Sequence, residues 1–123
     1  MTGPCNGNDE KLIFTCGGTL HCGQVAMRVG ELLRNDGIGQ IMCLAAIAGH
    51  VPDKLERARR APMRIAIDGC EDQCARRTLE LAGLPADVHV VLTNLGIEKA
   101  PAHPNLLDDA TKAIERLRFA VTG

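Results

Sequence analysis

Aromatic side chains are scarce in this sequence: of 123 residues, two are Phe and none is Trp or Tyr. A surface that stacks nucleic-acid bases needs aromatic rings, and so does a cage for a quaternary ammonium group. Neither kind of binding site is therefore expected. Neither sign of charge is in excess, with 14 Lys and Arg against 15 Asp and Glu. A general nucleic-acid binder usually has a basic surplus, so we predict no nucleic-acid partner.

Long apolar runs are also missing, because no stretch approaches the roughly 20 apolar residues that a membrane-spanning helix requires. The first ten residues contain neither the basic nor the apolar segment of a signal peptide. We therefore predict a cytoplasmic protein with no membrane partner. Residues 1–10 are polar and contain Gly and Pro, which is typical of a flexible tail. Residues 11–123 have the length of a single domain, and a hydrophobic fraction of 46% excludes a disordered chain.

Short apolar runs alternate with amphipathic helical patterns along residues 11–123. The predicted strands are Lys11–Thr15, Gln40–Leu44, Met63–Ile67 and Val88–Leu92. The predicted helices are Gln24–Asn35, Pro52–Arg60, Glu71–Ala82 and Leu106–Val121. This alternation predicts an α/β fold in which a small, open, mostly parallel four-stranded sheet has helices on both faces. Right-handed crossovers leave few topologies, and we favour the flavodoxin-like strand order 2-1-3-4.

Against this ordinary composition, six cysteines stand out. Structural disulfides are rare in a reducing cytoplasm, so metal binding or thiol chemistry is the better interpretation. Cys16 and Cys70 follow predicted strands, and Cys43 lies near the end of another. Ligands of open α/β sheets bind beyond the carboxyl ends of the strands, and neighbouring strands lie about 5 Å apart. The three thiols are therefore predicted to converge on one ion.

Two further cysteines extend this predicted site. Cys74 follows Cys70 by four residues, a spacing that places two side chains about 5–6 Å apart on one helical face. Cys22 follows Cys16 by six residues and is a fifth candidate or a replacement for one of the others. Four thiolates in a tetrahedron form the structural type of zinc site. Because helix N-termini favour negative charge, we expect lowered thiol pKa values here.

Other polar residues near these cysteines have more than one possible role. Asp68 either orients a metal ligand or caps the helix that follows it. His21 and His50 are alternative nitrogen ligands that would complete the site. His89 opens the last predicted strand, at the end of the sheet away from the site, so we assign it a structural role.

The order of these residues resembles a known family. The similar segments are Cys16-Gly17-Gly18, Cys43-Leu44 and Ile67–Ala75, which contains Asp68-Gly69-Cys70, and they match the pattern of the DGC-domain family. The similarity extends from about Leu12 to about Lys99, nearly the whole chain. Members of this family are described as zinc-binding through four cysteines, and their biological role is undefined. The ligand set that the resemblance implies is Cys16, Cys43, Cys70 and Cys74.

Three hypotheses of function remain open at this point. The leading one is a small cytoplasmic protein that binds one metal ion at its cysteines, with zinc expected and iron or another thiophilic metal as alternatives. The second is a thiol-based redox or sulfur-transfer enzyme that uses the same cysteines. The third is anion or nucleotide binding at the loop Cys16–Thr19, although this loop lacks the usual glycine-rich phosphate motifs.

Overall fold

The computed structural model describes residues 10–100 and 105–122. The predicted tail lies outside the described residues, apart from its last residue. Four strands are present in the described ranges: β1 (Leu12–Thr15), β2 (Gln40–Ile41), β3 (Arg64–Asp68) and β4 (Val88–Val91). Five α-helices accompany them there: α1 (His21–Asn35), α2 (Leu44–Ala48), α3 (Pro52–Arg60), α4 (Cys74–Leu81) and α5 (Leu106–Thr122). A short 3-10 helix, Leu92–Leu95, follows β4 directly.

The strands form one sheet in the order β2-β1-β3-β4, and every neighbouring pair is parallel. In β1, Ile13 pairs with Ile41 on one side and with Ile65 on the other. The predicted fold class and strand order are thus confirmed. The order reverses between β1 and β3, since the chain leaves β1 for one edge of the sheet and returns on its other side. The crevice at the carboxyl ends of these two strands is where open α/β sheets bind ligands.

Hydrophobic layers cover both faces of the sheet. On one face, α1 and α5 pack against Ile13, Ile65 and Ile67. On the other face, α2, α3 and α4 cover Leu12 and Phe14. Successive strand residues point to opposite faces, so a strand that is buried on both faces is apolar without alternation. This explains why residues 12–14 of β1 are three consecutive apolar side chains with at most 1% exposure.

The second strand is shorter than predicted. The pattern favours a strand over Gln40–Leu44, but β2 ends at Ile41 and α2 begins at Leu44. The segment Leu-Ala-Ala-Ile-Ala forms a helix because Ala and Leu have high helix propensity, and α2 buries Ile47 against the sheet. A short apolar run does not by itself distinguish a buried strand from a buried helix. Cys43 therefore lies in the link between β2 and α2 rather than within a strand.

The helices differ from the predicted ones mainly where they begin. α1 starts at His21 instead of Gln24, so Cys22 lies in its first turn. α4 starts at Cys74 instead of Glu71. Each of these helices therefore has a cysteine at its N-terminus. No helix in the described ranges is both long and apolar enough to cross a membrane.

Candidate functional site: a cavity lined by four cysteines

A cavity of roughly 200 Å³ opens at the carboxyl edge of the sheet, where β1 and β3 end. Its cysteines are Cys16, Cys22, Cys70 and Cys74. Cys16 and Cys70 lie in the segments that follow β1 and β3, and Cys22 and Cys74 lie in the first turns of the helices α1 and α4. The cavity lies where the strand order reverses, which is the expected ligand position in an open α/β sheet. The fold thus gathers four of the six cysteines at one place.

Glycines allow these two segments to approach each other closely. A Cβ added to Gly69 would lie 2.7 Å from the carbonyl carbon of Cys22. A Cβ added to Gly23 would lie 2.7 Å from the Cα of Gly18. Such distances to backbone atoms leave no room for a side chain, so only glycine fits without a shift of the backbone. The turn after β3 therefore touches the start of α1 through backbone atoms, and this contact brings Cys70 near Cys22.

Asp68, the last residue of β3, is fully buried and lines the cavity. Its Oδ1 accepts a hydrogen bond from the Ala75 N–H at 2.7 Å, and its Oδ2 accepts one from the Arg76 N–H at 3.2 Å. Both N–H groups belong to the first turn of α4, where backbone donors have no partner within the helix. The sequence leaves two roles open for Asp68, orienting a metal ligand or capping the next helix. These two hydrogen bonds show that its carboxylate caps α4.

His89 provides a third contact to the same carboxylate. Its Nε2 lies 2.8 Å from Asp68 Oδ2. The prediction that His89 lies away from the site is wrong, because its side chain extends from β4 to the end of β3. The predicted structural role fits, since the ring holds a buried carboxylate in place. Sequence reasoning missed this pair because the two residues are 21 positions apart and no local motif joins them.

The turn between β3 and α4 has a defined geometry. The Gln73 N–H donates to the Cys70 carbonyl oxygen at 3.1 Å. Gln73 has a φ of +54°, in the left-handed region that residues other than glycine rarely adopt. It occupies the N-cap position of α4, but its side chain makes no capping bond, which leaves that role to Asp68. Cys70 and Cys74 therefore lie at the two ends of one turn.

Burial and nearby negative charge raise the pKa of two of these thiols, Cys22 and Cys74. Burial raises the pKa of the Cys22 thiol, and the neighbouring sulfurs of Cys70 and Cys16 raise it further. Burial also raises the pKa of the Cys74 thiol, followed by the negative charge of Asp68. The predicted lowering of the thiol pKa is therefore wrong for Cys22 and Cys74. At Cys22 the backbone N–H groups of Gly23 and Cys22 do lower the pKa, but burial and the neighbouring sulfurs outweigh them. At α4 the reason is that first-turn N–H groups already bond Asp68 and do not face a thiolate.

The other predicted ligands in the described ranges lie outside this cavity. Cys43 is exposed and lines a second cavity of about 450 Å³, beyond the ends of β1 and β2. His50 is exposed and has a φ of +57°. His21 is fully buried, and its Nε2 lies 2.7 Å from Asp109 Oδ2 on α5. The structure thus brings Cys22 into the cavity and places Cys43 beside it.

The four thiols share the cavity without surrounding a common point. Among residues 10–100 and 105–122, no group of three or more His, Cys, Asp or Glu side chains is arranged to hold a metal ion. The donor chemistry nevertheless fits a thiophilic metal, because cysteine sulfur is the usual ligand of structural zinc. In addition, Cys16 Sγ accepts a hydrogen bond from the Gly69 N–H at 3.3 Å, which is the kind of outer contact that orients a metal ligand.

Comparison with known proteins assigns the chain to a family. The family model described as "DGC domain" matches residues 12–117, most of the chain, and so confirms the resemblance. A protein of Pseudomonas aeruginosa, the anaerobic and virulence modulator AnvM, is 25% identical over 111 residues, which cover 90% of this chain and 85% of that protein. No solved structure matches. The chain belongs to the DGC-domain family.

Proposed function

We propose that this protein binds one thiophilic metal ion, with zinc as the expected metal. The proposed ligands are Cys16, Cys22, Cys70 and Cys74. The observation that supports the proposal is the single cavity lined by these four thiols where the strand order reverses. Thiolate sulfur binds zinc at about 2.3 Å in a tetrahedron. Iron and other soft metals accept the same ligands, so metal availability decides among them.

In this proposal Cys22 takes the place that the family resemblance gives to Cys43. The Cys22 side chain is 2% exposed, and its thiol is close enough to Cys70 and Cys16 for their charges to raise its pKa. Cys43 lines the neighbouring cavity instead. The four proposed ligands line one cavity, whereas a set that includes Cys43 draws on two.

Four protein sulfurs complete a tetrahedral zinc site, and closed sites of this kind do not use the metal for catalysis. A bound metal would join the ends of β1 and β3 to the starts of α1 and α4. The name of the similar Pseudomonas aeruginosa protein, anaerobic and virulence modulator, supports a regulatory use of such a site in this chain. We propose the cytoplasm as its location, where thiols stay reduced and available to the metal.

A thiol-based redox or sulfur-transfer enzyme is the alternative. A nucleophilic or redox cysteine reacts as the thiolate. We favour metal binding because four thiols line one cavity, whereas thiol catalysis needs one activated cysteine and a resolving partner.

The first test is elemental analysis of protein purified without air and without chelator. On the same sample, alkylation followed by mass spectrometry reports the reactivity of each cysteine. We expect about one zinc per chain and four protected cysteines, those of the cavity, while Cys43 reacts. Removal of the metal by a chelator should make Cys16, Cys70 and Cys74 reactive, which is the internal control, whereas the buried Cys22 should react only after unfolding. Protein without metal and with freely reactive cavity thiols would contradict the proposal and favour thiol chemistry.

A further inference from the structure

The outer side of β4 carries backbone groups that point away from the rest of the sheet. The N–H groups of Asp87 and Thr93, at the two ends of β4, both donate to carbonyl oxygens on the side of β3. Backbone groups of successive strand residues point alternately to the two sides of the strand. Val88 and Val90 therefore direct their N–H and C=O groups outward, away from β3.

This edge of the sheet is open in the part of the chain that the structure describes. In residues 10–100 and 105–122, β4 pairs with β3 alone and ends the strand order. Edge strands that resist further pairing commonly contain proline or lysine. β4 reads Val-His-Val-Val and contains neither. Its outer side is therefore able to accept one more strand.

A cavity of about 280 Å³ lies along this edge, and we call it the β4-edge cavity. It combines apolar side chains with a few polar ones, as ligand-binding cavities usually do. The apolar side chains that line it are Val90, Leu95 and Leu117, and the polar ones are His89, Asn94 and Arg116. They come from β4, from the 3-10 helix after it and from α5.

The Arg116 guanidinium lies at the carboxyl end of β4. Its Nη1 donates a hydrogen bond to the Leu95 carbonyl oxygen, and a Cβ added to Gly96 would lie 3.2 Å from the same nitrogen. Within the described ranges this guanidinium forms no ion pair with a carboxylate. Arginine has five N–H donors, and it binds carboxylates through paired, charge-assisted hydrogen bonds. A positive charge with donors to spare therefore marks this end of the cavity.

From these observations we propose that the β4-edge cavity binds the C-terminus of an extended peptide whose last residue is apolar. The peptide adds a fifth strand, and its backbone exchanges hydrogen bonds with Val88 and Val90. Its terminal carboxylate binds Arg116, and its last side chain packs against Leu95 and Leu117. Because that carboxylate lies at the carboxyl end of β4, the added strand runs parallel to the sheet. The proposal does not depend on the metal site.

Two other occupants fit the β4-edge cavity less well. A small free carboxylate would satisfy Arg116 but would leave the outward backbone groups of Val88 and Val90 without a strand. A second copy of this chain, joined through its own β4 about a two-fold axis, would run antiparallel to β4. Such a copy would bring no chain terminus to Arg116. The charge at the end of the edge therefore favours a peptide C-terminus.

The first test is an NMR titration of the isotope-labelled, full-length protein with acetyl-Thr-Val-Thr-Val that ends in a free carboxylate. The backbone N–H signals of Val88 and Val90 should shift and saturate, whereas those of Gln40 and Ile41, on the opposite edge, should not. The same peptide with a C-terminal amide should bind at least about tenfold more weakly, because charge-assisted hydrogen bonds to Arg116 are lost. Equal affinities of the acid and the amide would overturn the carboxylate contact.

Strand addition has a signature of its own, because only alternate peptide residues turn their N–H groups toward β4. Two further peptides each carry one N-methyl group, on the first valine or on the second threonine. One of them should bind about fivefold more weakly, since it loses a hydrogen bond to β4, and the other should bind as the parent does. Equal affinities of these two peptides would overturn strand addition. Equal affinities of 3-methylbutanoate and the parent peptide would assign the cavity to small carboxylates instead.

A pair of variants on α5 tests the cation. Arg116→Gln removes the charge at the cavity, and Lys112→Gln is the matched control because it removes an exposed charge from the same helix. Arg116→Gln should weaken binding of the acid by about tenfold or more and leave binding of the amide unchanged, whereas Lys112→Gln should match the wild type. Equal losses in the two variants would overturn the contact. If Arg116→Gln does not fold, the comparison of acid and amide on the wild type tests the same contact.

Two further results would overturn the proposal as a whole. One is the absence of any shift at Val88 and Val90 with the parent peptide at up to about 5 mM, since a weaker interaction is not specific binding. The other is a shift of the same signals when the protein alone is diluted, together with a dimer in analytical ultracentrifugation. That result would assign the edge of β4 to a second copy of this chain.

Discussion

The turn after β3 and the link after β2 both place a cysteine at the end of a strand, but they hold it differently. After β3, the buried carboxylate of Asp68 contacts three donors, and Gly69 touches the start of α1 through backbone atoms. Cys70 follows directly. After β2, Cys43 is exposed and its side chain makes no capping hydrogen bond. A strand end fixed by buried bonds suits a ligand of the proposed site, whereas the exposed Cys43 in the link after β2 suits that role less well.

Removal of one thiol from each strand end tests this difference most directly. We expect Cys70→Ser to weaken zinc binding by about 100-fold, because one of four sulfurs contributes about 3 kcal/mol of the binding free energy. Cys22→Ser should cause a similar loss. Cys43→Ser should leave the affinity within about twofold of the wild type. Equilibrium competition with a chelator measures all three, and equal losses at Cys70 and Cys43 would erase the distinction.

Removal of the buried carboxylate should free the turn after β3. We expect Asp68→Ala to lower the free energy of unfolding of the metal-free protein by about 3 kcal/mol, because two buried N–H groups and the His89 ring lose a charged partner. Asp72→Ala changes an exposed carboxylate in the same turn and should cost less than about 0.5 kcal/mol. Urea unfolding measures both values. Losses of equal size would show that Asp68 does not hold this turn.

The close contact between two glycines provides a matched pair of variants. A Cβ on Gly23 would lie 2.7 Å from the Cα of Gly18, whereas a Cβ on Gly18 would lie 3.6 Å from the Cα of Gly23. We expect Gly23→Ala to destabilise the fold by about 1–2 kcal/mol, since the clash outweighs the gain in helix propensity. Gly18→Ala should cost less than about 0.5 kcal/mol. Thermal unfolding measures both losses of stability. Equal losses for Gly23→Ala and Gly18→Ala would show that the close approach of these two backbone segments does not constrain the site.

The smallest effect is expected for the exposed ion pair on the turn after β3. Lys99 Nζ lies 2.6 Å from Glu71 Oε2, and this hydrogen bond lowers the pKa of the Glu71 carboxyl. Lys99→Ala should return that pKa toward its ordinary value in an NMR titration. Because the folded-state pKa is lowered, the pair stabilises the fold above the ordinary pKa of glutamate, and this contribution is lost as the pH falls through the folded-state pKa.

Both members of that pair are exposed, so Lys99→Ala should not alter zinc affinity at neutral pH. Lys54→Ala, on α3, serves as the control for loss of a lysine outside this turn, although Lys54 is half-buried. A weaker zinc affinity in Lys99→Ala but not in Lys54→Ala would mean that the turn after β3 depends on its outer surface as well as on Asp68.

Most of the fold follows from the sequence pattern. The alternation of short apolar runs with amphipathic helices predicts the parallel sheet, and right-handed crossovers narrow its strand order. The end of β2 is not predictable in this way, because Leu44–Ala48 is as apolar as a buried strand. Its helical state depends on alanine propensity and on the packing of Ile47 against the sheet, which is a tertiary contact.

The sequence indicates the edge of the sheet at which the four-cysteine cavity lies, but not which cysteines line it. The strand-end rule treats Cys43 like the others and leaves Cys22 as an extra candidate. Which cavity a side chain lines depends on the path of the backbone after the strand, and that path is set by long-range contacts. The bond between His89 and Asp68 is one of these. The sequence does contain one indication of this packing, which is Gly23. Glycine lowers the stability of a helix, so its presence in α1 indicates that another backbone segment approaches closely there.

His21 and Asp109 are separated by 88 positions, yet their side chains meet at 2.7 Å between α1 and α5. His21 directly precedes Cys22, so this contact fixes the start of α1 only when α5 has docked. A ribosome adds about 5–20 residues per second, so α5 is synthesised roughly ten seconds after α1. During that interval the nascent chain presents Cys22 without the helix that holds the start of α1. The proposed metal site would therefore be completed only after translation of α5.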